Sequence, residues 1–551
     1  MVPDGQADLI LCARRCYSLR PRRCAGDAVV VRGGRVIAVG RRRAVSRWKG
    51  RGTRVIRLDG GAITPGLVDC HTHFFYWALQ RARAVDLSDC RTLDAALNKV
   101  RREGRRRSLG DWIVGYGFDS NTWPEGMPTA SDLDRAVPDR PVLLHSRDGH
   151  SAWLNSVALR RAAITAQTPD PKGGRYLRDA HGHPNGIVQE AALDLLPDPV
   201  REFAQRTDAA ALCAIDRALE DACRVAWSLG IVGVHDMDDA ASLSHWQRQR
   251  RERRLGLRVV HAIPLARLPQ ALALGLRTGL GDDWLRIGGV KIFADGALGS
   301  QTAHMLQPYP GRGDYCGVPV IAGRELREAA VDAARHGWAV WVHAIGDRAV
   351  RDAVAALAAA RRAERKAGGL RASPLPHRIE HVQCARPGDL RRMGRLGIVA
   401  SVQPCHIMGD IRTAERHWPR AARYAYAFRS MLDAGVTLAV GSDVPVESPD
   451  PRRALLGAVV RTDDDGYPPG GWYPAQRIGV EHVLRGYTAG AAAAAGDAEP
   501  GGLLAPGVRA DLTLWYDDPL LTPPEALGRV RIAGCVVGGR VHLNAAGGEG
   551  G

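Results

Sequence analysis

The sequence contains very little lysine. Only five of its 76 basic residues are lysine and the rest are arginine, and the formal net charge is +17. A strongly basic chain can bind nucleic acid. However, the sequence has no zinc-finger, RNP or helix-turn-helix pattern, and its arginines lie mostly in stretches typical of solvated helices and loops. We therefore attribute the charge to a compositional bias and expect no nucleic-acid partner.

Long apolar segments are also absent. No run of 18 apolar residues occurs without a charge, so the sequence predicts no transmembrane helix and no membrane partner. The beginning, MVPDGQADLILCARRC, lacks the basic start and long apolar stretch of a signal peptide, and we expect a cytoplasmic protein. The eleven cysteines form no CxxC pair, which favours free thiols over a disulfide framework.

The two ends of the chain share a pattern of short β-rich runs separated by glycine turns. RGGRV between two such runs near the start is a hairpin signal, and GLLAPGVRADLTLW near the end is similar in character. A small N-terminal sheet would hardly bury its own faces. We therefore predict one composite β-sandwich made of residues 1–64 and 496–545.

Between these ends, short apolar strands alternate with helical stretches, which is typical of an α/β fold of the (β/α)₈ TIM-barrel type over residues 65–495. A long insertion, about 85–225, follows the first strand and has strand-like runs of its own. The sequence predicts eight barrel strands, at residues 66–73, 230–237, 257–263, 288–296, 338–347, 377–383, 397–404 and 436–443.

Residue types that bind metals lie near the ends of several of these strands, where barrel active sites are found. His71 and His73 are two residues apart, so their side chains share one strand face and can chelate one cation. His343, His381 and Asp443 each follow an apolar run. Each alone is typical of a surface or core residue, but together they indicate a site for Zn²⁺, with Mn²⁺, Fe²⁺ or Ni²⁺ as alternatives.

Lys291 lies inside the apolar strand GGVKIFADG, in a chain that otherwise uses arginine for positive charge. Burial lowers the pKa of a lysine, and a neutral amine can take up CO₂ to form a carbamate that bridges two cations. The alternative is a buried lysine paired with Asp295 or Asp347.

Several motifs together resemble the amidohydrolase superfamily, in particular its amidohydrolase-3 or YtcJ-like branch; they are TPGLVDCHTH, DGHSAWLNS, GVHDM, VKIFADGALGSQTA, VHAIGDRAV, RIEHVQ, GSDVPVESPDP and the closing GLLAPGVRADLTLW. This resemblance implies a metal-dependent hydrolase with a barrel, a composite β-sandwich and a binuclear site. It implies that His71, His73 and Asp443 hold one metal, His343 and His381 hold the other, and carboxylated Lys291 bridges them.

The expected reaction is hydrolysis of a C–N bond, of an amide or an N-substituted formamide, by a metal-bound hydroxide. Asp443 would be the general base and then the general acid, and Lys291 would act through its carbamate. We expect His150, Asn155, His235 and Asp295 to contact the substrate or to orient the ligands.

Two other readings stay open at this point. The same metals could serve a hydrolase of a cyclic amide, a lactone or an amino-heterocycle, or the scaffold could be a non-catalytic binding protein. The expected partner is a small-molecule substrate, and the exposed barrel helices permit a homodimer without requiring one.

Overall fold

The computed structural model describes residues 5–19, 24–106, 111–366, 373–497 and 501–544. The remaining residues lie outside this description. They include parts of the predicted end segments 1–64 and 496–545 and a short part of the predicted insertion. The domain boundaries given above stay predictions.

The middle of the chain forms a parallel eight-stranded sheet in which spatial order follows chain order. A parallel bridge between Thr72 and Val444 brings the first and last strands together, so the barrel is nearly closed. All eight predicted barrel strands are confirmed, mostly with shorter bounds. They run over Leu67–Thr72, Ile231–Asp236, Arg258–Pro264, Leu285–Phe293, Val340–Ala344, Arg378–His381, Val399–Val402 and Leu438–Val440.

The first and last barrel strands approach each other closely at Gly441. A Cβ atom on Gly441 would lie 2.6 Å from the backbone nitrogen of His71, which is closer than non-bonded atoms allow. Next to it, the Ser442 hydroxyl donates a hydrogen bond of 2.6 Å to the Asp69 carboxylate. Glycine at position 441 therefore permits the contact that positions the end of the last strand beside His71.

Helices cover the outside of the barrel and bury their apolar faces against it. In Asp347–Lys366, for example, the buried side includes Val350, Val354 and Leu357. None of the described helices is both long and apolar enough to cross a membrane. The α-helices run over Arg42–Val45, Phe74–Arg83, Leu93–Gly104, Ala130–Ala136, Ser156–Arg161, Pro199–Ala204, Ala209–Ser228, Ala240–Arg251, Leu268–Ala273, Gly323–Arg335, Asp347–Lys366, Pro387–Leu396, Ile407–His417, Phe428–Asp433, Pro451–Val459, Val480–Arg485 and Ala491–Ala494.

A second, six-stranded sheet lies in the chain between the first two barrel strands. Two of its strands correspond to the strand-like runs DWIVGYGF and PVLLHSRD of the predicted insertion. The strands are Val85–Asp86, Ile113–Phe118, Val142–Ser146, Ser151–Leu154, Gly174–Arg178 and Pro184–Glu190. This sheet is therefore formed by the segment inserted between the first and second barrel strands.

Strands from both ends of the chain meet in one seven-stranded sheet. Strand Arg54–Pro65 pairs with the C-terminal strand Leu512–Trp515, so the two ends do build a common unit as predicted. The described strands form a single sheet, and the prediction of a sandwich is not confirmed. The strands are Leu9–Tyr17, Cys24–Arg32, Arg35–Gly40, Arg54–Pro65, Leu512–Trp515, Ile532–Val537 and Arg540–Leu543.

A bidentate ion pair joins this terminal sheet to the barrel. Arg258, the first residue of the third barrel strand, donates from Nε and Nη2 to the Asp511 carboxylate at 3.0 and 3.1 Å. The Asp511 carboxylate also accepts the backbone N–H of Gly538 at 2.7 Å. Both charged side chains are 13% exposed, so removal of one leaves the other poorly solvated.

We expect Asp511→Ala to lower the free energy of unfolding by about 2 kcal/mol, since it leaves Arg258 without its carboxylate partner and breaks three charge-assisted hydrogen bonds. Urea denaturation followed by circular dichroism measures the change. Glu328→Ala, which removes an exposed pair with Arg324, is the matched control and should cost less than about 0.5 kcal/mol. Equal effects of the two substitutions would contradict a special role for the Arg258–Asp511 joint.

Candidate metal centre and active-site pocket

The six predicted metal-ligand residues lie at or near the C-terminal ends of barrel strands. His71 and Lys291 lie within the first and fourth strands, and His73 directly follows the first. The others are His343 in the fifth strand, His381 at the end of the sixth and Asp443 after the eighth. The side chains of all but His73 are at least nine-tenths buried. The barrel topology therefore brings together residues from five strands.

His71, His73 and Asp443 form the tightest group. Asp443 Oδ1 is 3.5 Å from His71 Nε2 and 3.7 Å from His73 Nε2. One ligand atom from each of these residues lies within 4.8 Å of the other two. Lys291 Nζ is 3.3 Å from His71 Nε2. Two imidazoles and a carboxylate are a common ligand set for Zn²⁺ and related divalent ions.

His343 and His381 lie beside this group. Their ring centroids are 4.6 Å apart, and the His381 ring is 4.7 Å from the His71 ring. His343 Nε2 is 3.2 Å from the carbonyl oxygen of Gly296, which leaves Nδ1 as its free ligand atom. The two predicted ligand sets are thus adjacent, with Lys291 next to the first.

Buried polar partners orient three of the imidazoles. His71 Nδ1 lies 2.7 Å from Glu380 Oε2, His73 Nδ1 lies 2.9 Å from Asp238 Oδ1, and His381 Nδ1 lies 2.9 Å from Gln403 Oε1. These acceptors fix the proton on Nδ1 and leave Nε2 unprotonated. Metal-binding histidines are typically held in this way, so the residues present fit a divalent metal.

Glu380 is itself held by a buried arginine. Arg378 Nε and Nη2 donate to the two Glu380 oxygens at 2.6 and 2.8 Å, and both side chains are fully buried. Arg378 Nη2 also donates to the carbonyl oxygen of Cys70 at 2.6 Å. Because Arg378 compensates the Glu380 charge, this carboxylate can stay ionised next to His71, and its pKa lies below its usual range although burial opposes this.

Lys291 has no carboxylate within ion-pair distance among the residues that the structure describes. Of the two partners considered from the sequence, Asp295 accepts backbone N–H groups of His304, Ile345 and Gly346. Asp347 pairs with Arg386. Burial lowers the pKa of Lys291 to about 8. About a tenth of this lysine is therefore an uncharged amine at pH 7.

The pKa values of Asp443 and His150, at and beside the candidate centre, are also shifted. Burial raises the pKa of Asp443 to about 6. His150 lies beside His343, with ring centroids 5.2 Å apart, and its Nδ1 is 2.8 Å from Glu190 Oε2. Burial opposes protonation of His150, but the Glu190 carboxylate raises its pKa to about 9. His150 therefore presents a positive charge next to the metal-ligand residues.

A pocket of about 80 Å³ opens at the same end of the barrel. Its wall includes three of the predicted ligands, His343, His381 and Asp443. The strand-and-loop region 118–151 contributes Asp119, Asn121, Arg147, Asp148 and His150, and the segments that follow the last three barrel strands contribute Gln383, His406, Asp410 and Glu447. A substrate in this pocket would therefore contact both the metal centre and the segment between the first two barrel strands.

The four residues predicted to contact substrate or orient ligands have different locations. His150 lines the pocket, and Asp295 Oδ1 lies 3.7 Å from His343 Nε2. Asn155 is fully buried and caps a helix, with its side chain bonded to four backbone groups. His235 lies deeper in the barrel and contacts Arg378. Neither Asn155 nor His235 is part of the pocket wall, and their assignment to the substrate stays a prediction.

Sequence reasoning missed Glu380, Asp238, Gln403 and Arg378. A signal was present in RIEH, where two charged residues alternate within an apolar strand that must be buried. Buried charges of this kind require partners. The carboxylate of Asp238 follows the second strand in VHDMDD, where several acidic residues compete, so its pairing with His73 could be found only from the three-dimensional structure.

Three similar proteins span most of the chain. Protein LONG AFTER FAR-RED 3 of Arabidopsis thaliana is 32% identical over 510 residues, covering 89% of this chain and 83% of that protein. Amidohydrolase YtcJ of Bacillus subtilis (strain 168), so named only provisionally, is 29% identical and covers 89% and 90%. The N-substituted formamide deformylase of Arthrobacter pascens is 28% identical and covers 93% and 94%.

Solved structures agree with this relationship. An uncharacterized metal-dependent hydrolase from Pyrococcus furiosus matches with a TM-score of 0.68 at 28% identity, covering 93% of this chain and 99% of that one. Another from Pyrococcus horikoshii OT3 matches with a TM-score of 0.71 at 25% identity, covering 94% and 99%. The sequence model of the Amidohydrolase family matches residues 54–542. The chain therefore belongs to the amidohydrolase family of metal-dependent hydrolases.

Proposed function

We propose that this protein hydrolyses the C–N bond of a small amide, such as an N-substituted formamide, at a two-metal centre. The observation that carries the proposal is the convergence of His71, His73, Asp443 and Lys291 at one end of the barrel, with ligand atoms a few ångströms apart. This centre adjoins a pocket of about 80 Å³, whose wall includes His343, His381 and Asp443.

The donor set suits zinc, as it does other divalent metals that bind imidazole and carboxylate. When bound, such metals polarise a substrate carbonyl and lower the pKa of a water molecule. Asp443 would accept the proton from the attacking water and deliver it to the leaving nitrogen. The position of Asp443 supports this role, because its Oδ1 lies 3.5 Å from His71 Nε2 and 3.7 Å from His73 Nε2, within the group that would hold the metal.

Lys291 would act as a carbamate. Its neutral amine would attack CO₂ to form an N–C bond and release one proton to solvent, which would turn an uncharged side chain into an anion beside the two ligand sets. From the ammonium form, one further proton would be released first. The lowered pKa and the lack of a carboxylate partner among the described residues support this. Arginine cannot undergo this reaction, because its guanidinium stays protonated.

His150 would bind the substrate. Its positively charged ring lies beside His343 and lines the pocket, where it could donate a hydrogen bond to the oxygen of the amide. The name of the Arthrobacter pascens relative supports a formamide substrate, and the name of the Bacillus subtilis relative supports an amide in general.

We expect purified, chelator-washed protein grown with added zinc to hold about two metal equivalents, and Lys291→Ala to hold one or none, because it removes the bridging anion. Elemental mass spectrometry measures the content. Lys172→Ala, at an exposed lysine, is the control and should retain both. Lys291→Arg should not restore binding, and unchanged metal content in that variant would contradict the carbamate.

We expect Asp238→Asn to raise the metal dissociation constant by about 10–100-fold, since it replaces the carboxylate that orients His73 with a weaker acceptor. Competition with a fluorescent zinc chelator measures the affinity. Asp332→Asn removes an exposed carboxylate that also lies near a histidine, and it should leave the affinity unchanged. Equal affinities of the two variants would show that Asp238 does not support the metal.

We expect Asp443→Asn to slow the hydrolysis of N-benzylformamide by at least about 10²–10⁴-fold, the usual loss for a general acid–base. The metal content of the variant is measured in parallel. Loss of activity with retained metal would assign the loss to proton transfer rather than to metal binding. Asp465→Asn, at an exposed site, is the control.

A parallel panel of amides, lactones and amino-heterocycles tests the substrate class. Turnover of lactones or amino-heterocycles without amides would contradict the proposed C–N cleavage of amides and favour the alternative hydrolases. No turnover of any class by metal-loaded protein would favour a binding protein.

A further inference from the structure

A second cavity, of about 460 Å³, lies at the opposite end of the barrel. Its wall includes Pro65 and Gly66, which precede the first barrel strand, Val68 near the start of that strand, and Arg258, which begins the third. It shares no wall residue with the pocket at the metal centre. Its volume lies within the range of about 300–1,000 Å³ that small-molecule sites occupy.

The wall of this cavity combines apolar side chains with charged residues that balance one another. Valines and alanines form much of the wall. The wall also contains four arginines and four aspartates. Arg258 pairs with Asp511, Arg286 with Asp497, and Arg509 with Asp283. Because these charges cancel in pairs, the cavity offers no net charge to attract an ion.

One polar side chain in the wall of this cavity has a ring nitrogen without a hydrogen-bond partner among the described residues. His235 lines the cavity and is 1% exposed. Its Nδ1 is 2.9 Å from Nη1 of Arg378. Arginine can only donate hydrogen bonds, so Nδ1 must be the acceptor and the proton of the neutral ring must be on Nε2. This Nε2–H has no acceptor among the residues that the structure describes.

Two neighbouring side chains, Arg378 and Trp341, fix the orientation of the His235 ring. Arg378 is held by both oxygens of Glu380 and by the carbonyl oxygen of Cys70, so it cannot turn away from the ring. Trp341 stacks on the same ring, with centroids 6.2 Å apart and planes at 14°. The hydrogen-bond donor at the inner end of the cavity is thus preorganised, which lowers the cost of binding a complementary acceptor.

We propose that this cavity is a second ligand site, which binds an uncharged, largely apolar organic molecule carrying one carbonyl-type acceptor. The valines and alanines of the wall would cover the body of the molecule, and His235 Nε2 would donate to its acceptor. The site is separate from the proposed amide hydrolysis and does not depend on it.

The test uses acetophenone, which has such an acceptor, and ethylbenzene, which has a similar shape but none. We expect calorimetric titration of the full-length protein to give one acetophenone site, with ethylbenzene at least about tenfold weaker. Ala492→Leu extends into the cavity from the helix Ala491–Ala494 and should abolish binding. Ala493→Leu, on the exposed side of the same helix, is the matched control and should bind as the wild type does.

A crystal soaked with acetophenone provides an independent measurement, in which the carbonyl oxygen should lie within hydrogen-bond distance of His235 Nε2. No binding up to the solubility limit would show a water-filled cavity and overturn the proposal. Binding that survives Ala492→Leu would place the ligand elsewhere, and equal affinity for ethylbenzene would remove the role of His235. Either result would also overturn it.

Discussion

The candidate metal centre depends on buried acceptors that hold the histidine rings in one orientation. An imidazole ligand can bind a cation only through an unprotonated nitrogen, and a hydrogen bond at the other nitrogen decides which one that is. Glu380 does this for His71 and Asp238 does it for His73. A buried carboxylate would normally take up a proton, and Arg378 prevents this at Glu380 by pairing with both of its oxygens. The barrel interior therefore holds an ion pair in order to keep an acceptor ionised beside His71.

The ends of the barrel strands are shaped for the same purpose. His381 and Asp443 have positive φ angles of 73° and 61°, a conformation that is uncommon for residues other than glycine. Each such residue costs on the order of 1–3 kcal/mol, so the surrounding structure must enforce it. At Asp443 the enforcing contact is its backbone N–H, which donates to the carbonyl oxygen of His71 at 2.7 Å. The same hydrogen bond links the end of the last strand to the first strand. The contact that closes the barrel therefore also positions the Asp443 carboxylate.

The sequence was sufficient to predict the barrel and to place the candidate ligand residues on its strands, because each of these residues lies in or follows an apolar strand whose length and position can be read directly. His343 and His381 are examples, since both complete a short apolar run. Their partners could not be predicted, because Gln403 and His381 are 22 residues apart in sequence and meet only through strand pairing. His235 shows a different difficulty. It lies near the end of a strand, as the candidate ligands do, yet its side chain contacts Arg378 deeper in the barrel. The position of a residue along its strand predicts the end of the barrel near which it lies. The depth of its side chain, however, depends on strand tilt and register.

Arg378 lies between the two ends of the barrel and limits what each can do. In most TIM barrels the corresponding layer is filled by branched apolar side chains. Here the layer is polar, and a continuous series of hydrogen bonds runs from His235 through Arg378 and Glu380 to His71. An apolar replacement of the layer could be equally stable, since burying ions is costly even when they are paired. It could not fix the proton positions on His71 and His235, however, because only hydrogen bonds select a tautomer. The polar layer is therefore better explained by the orientation of these two rings than by its contribution to stability.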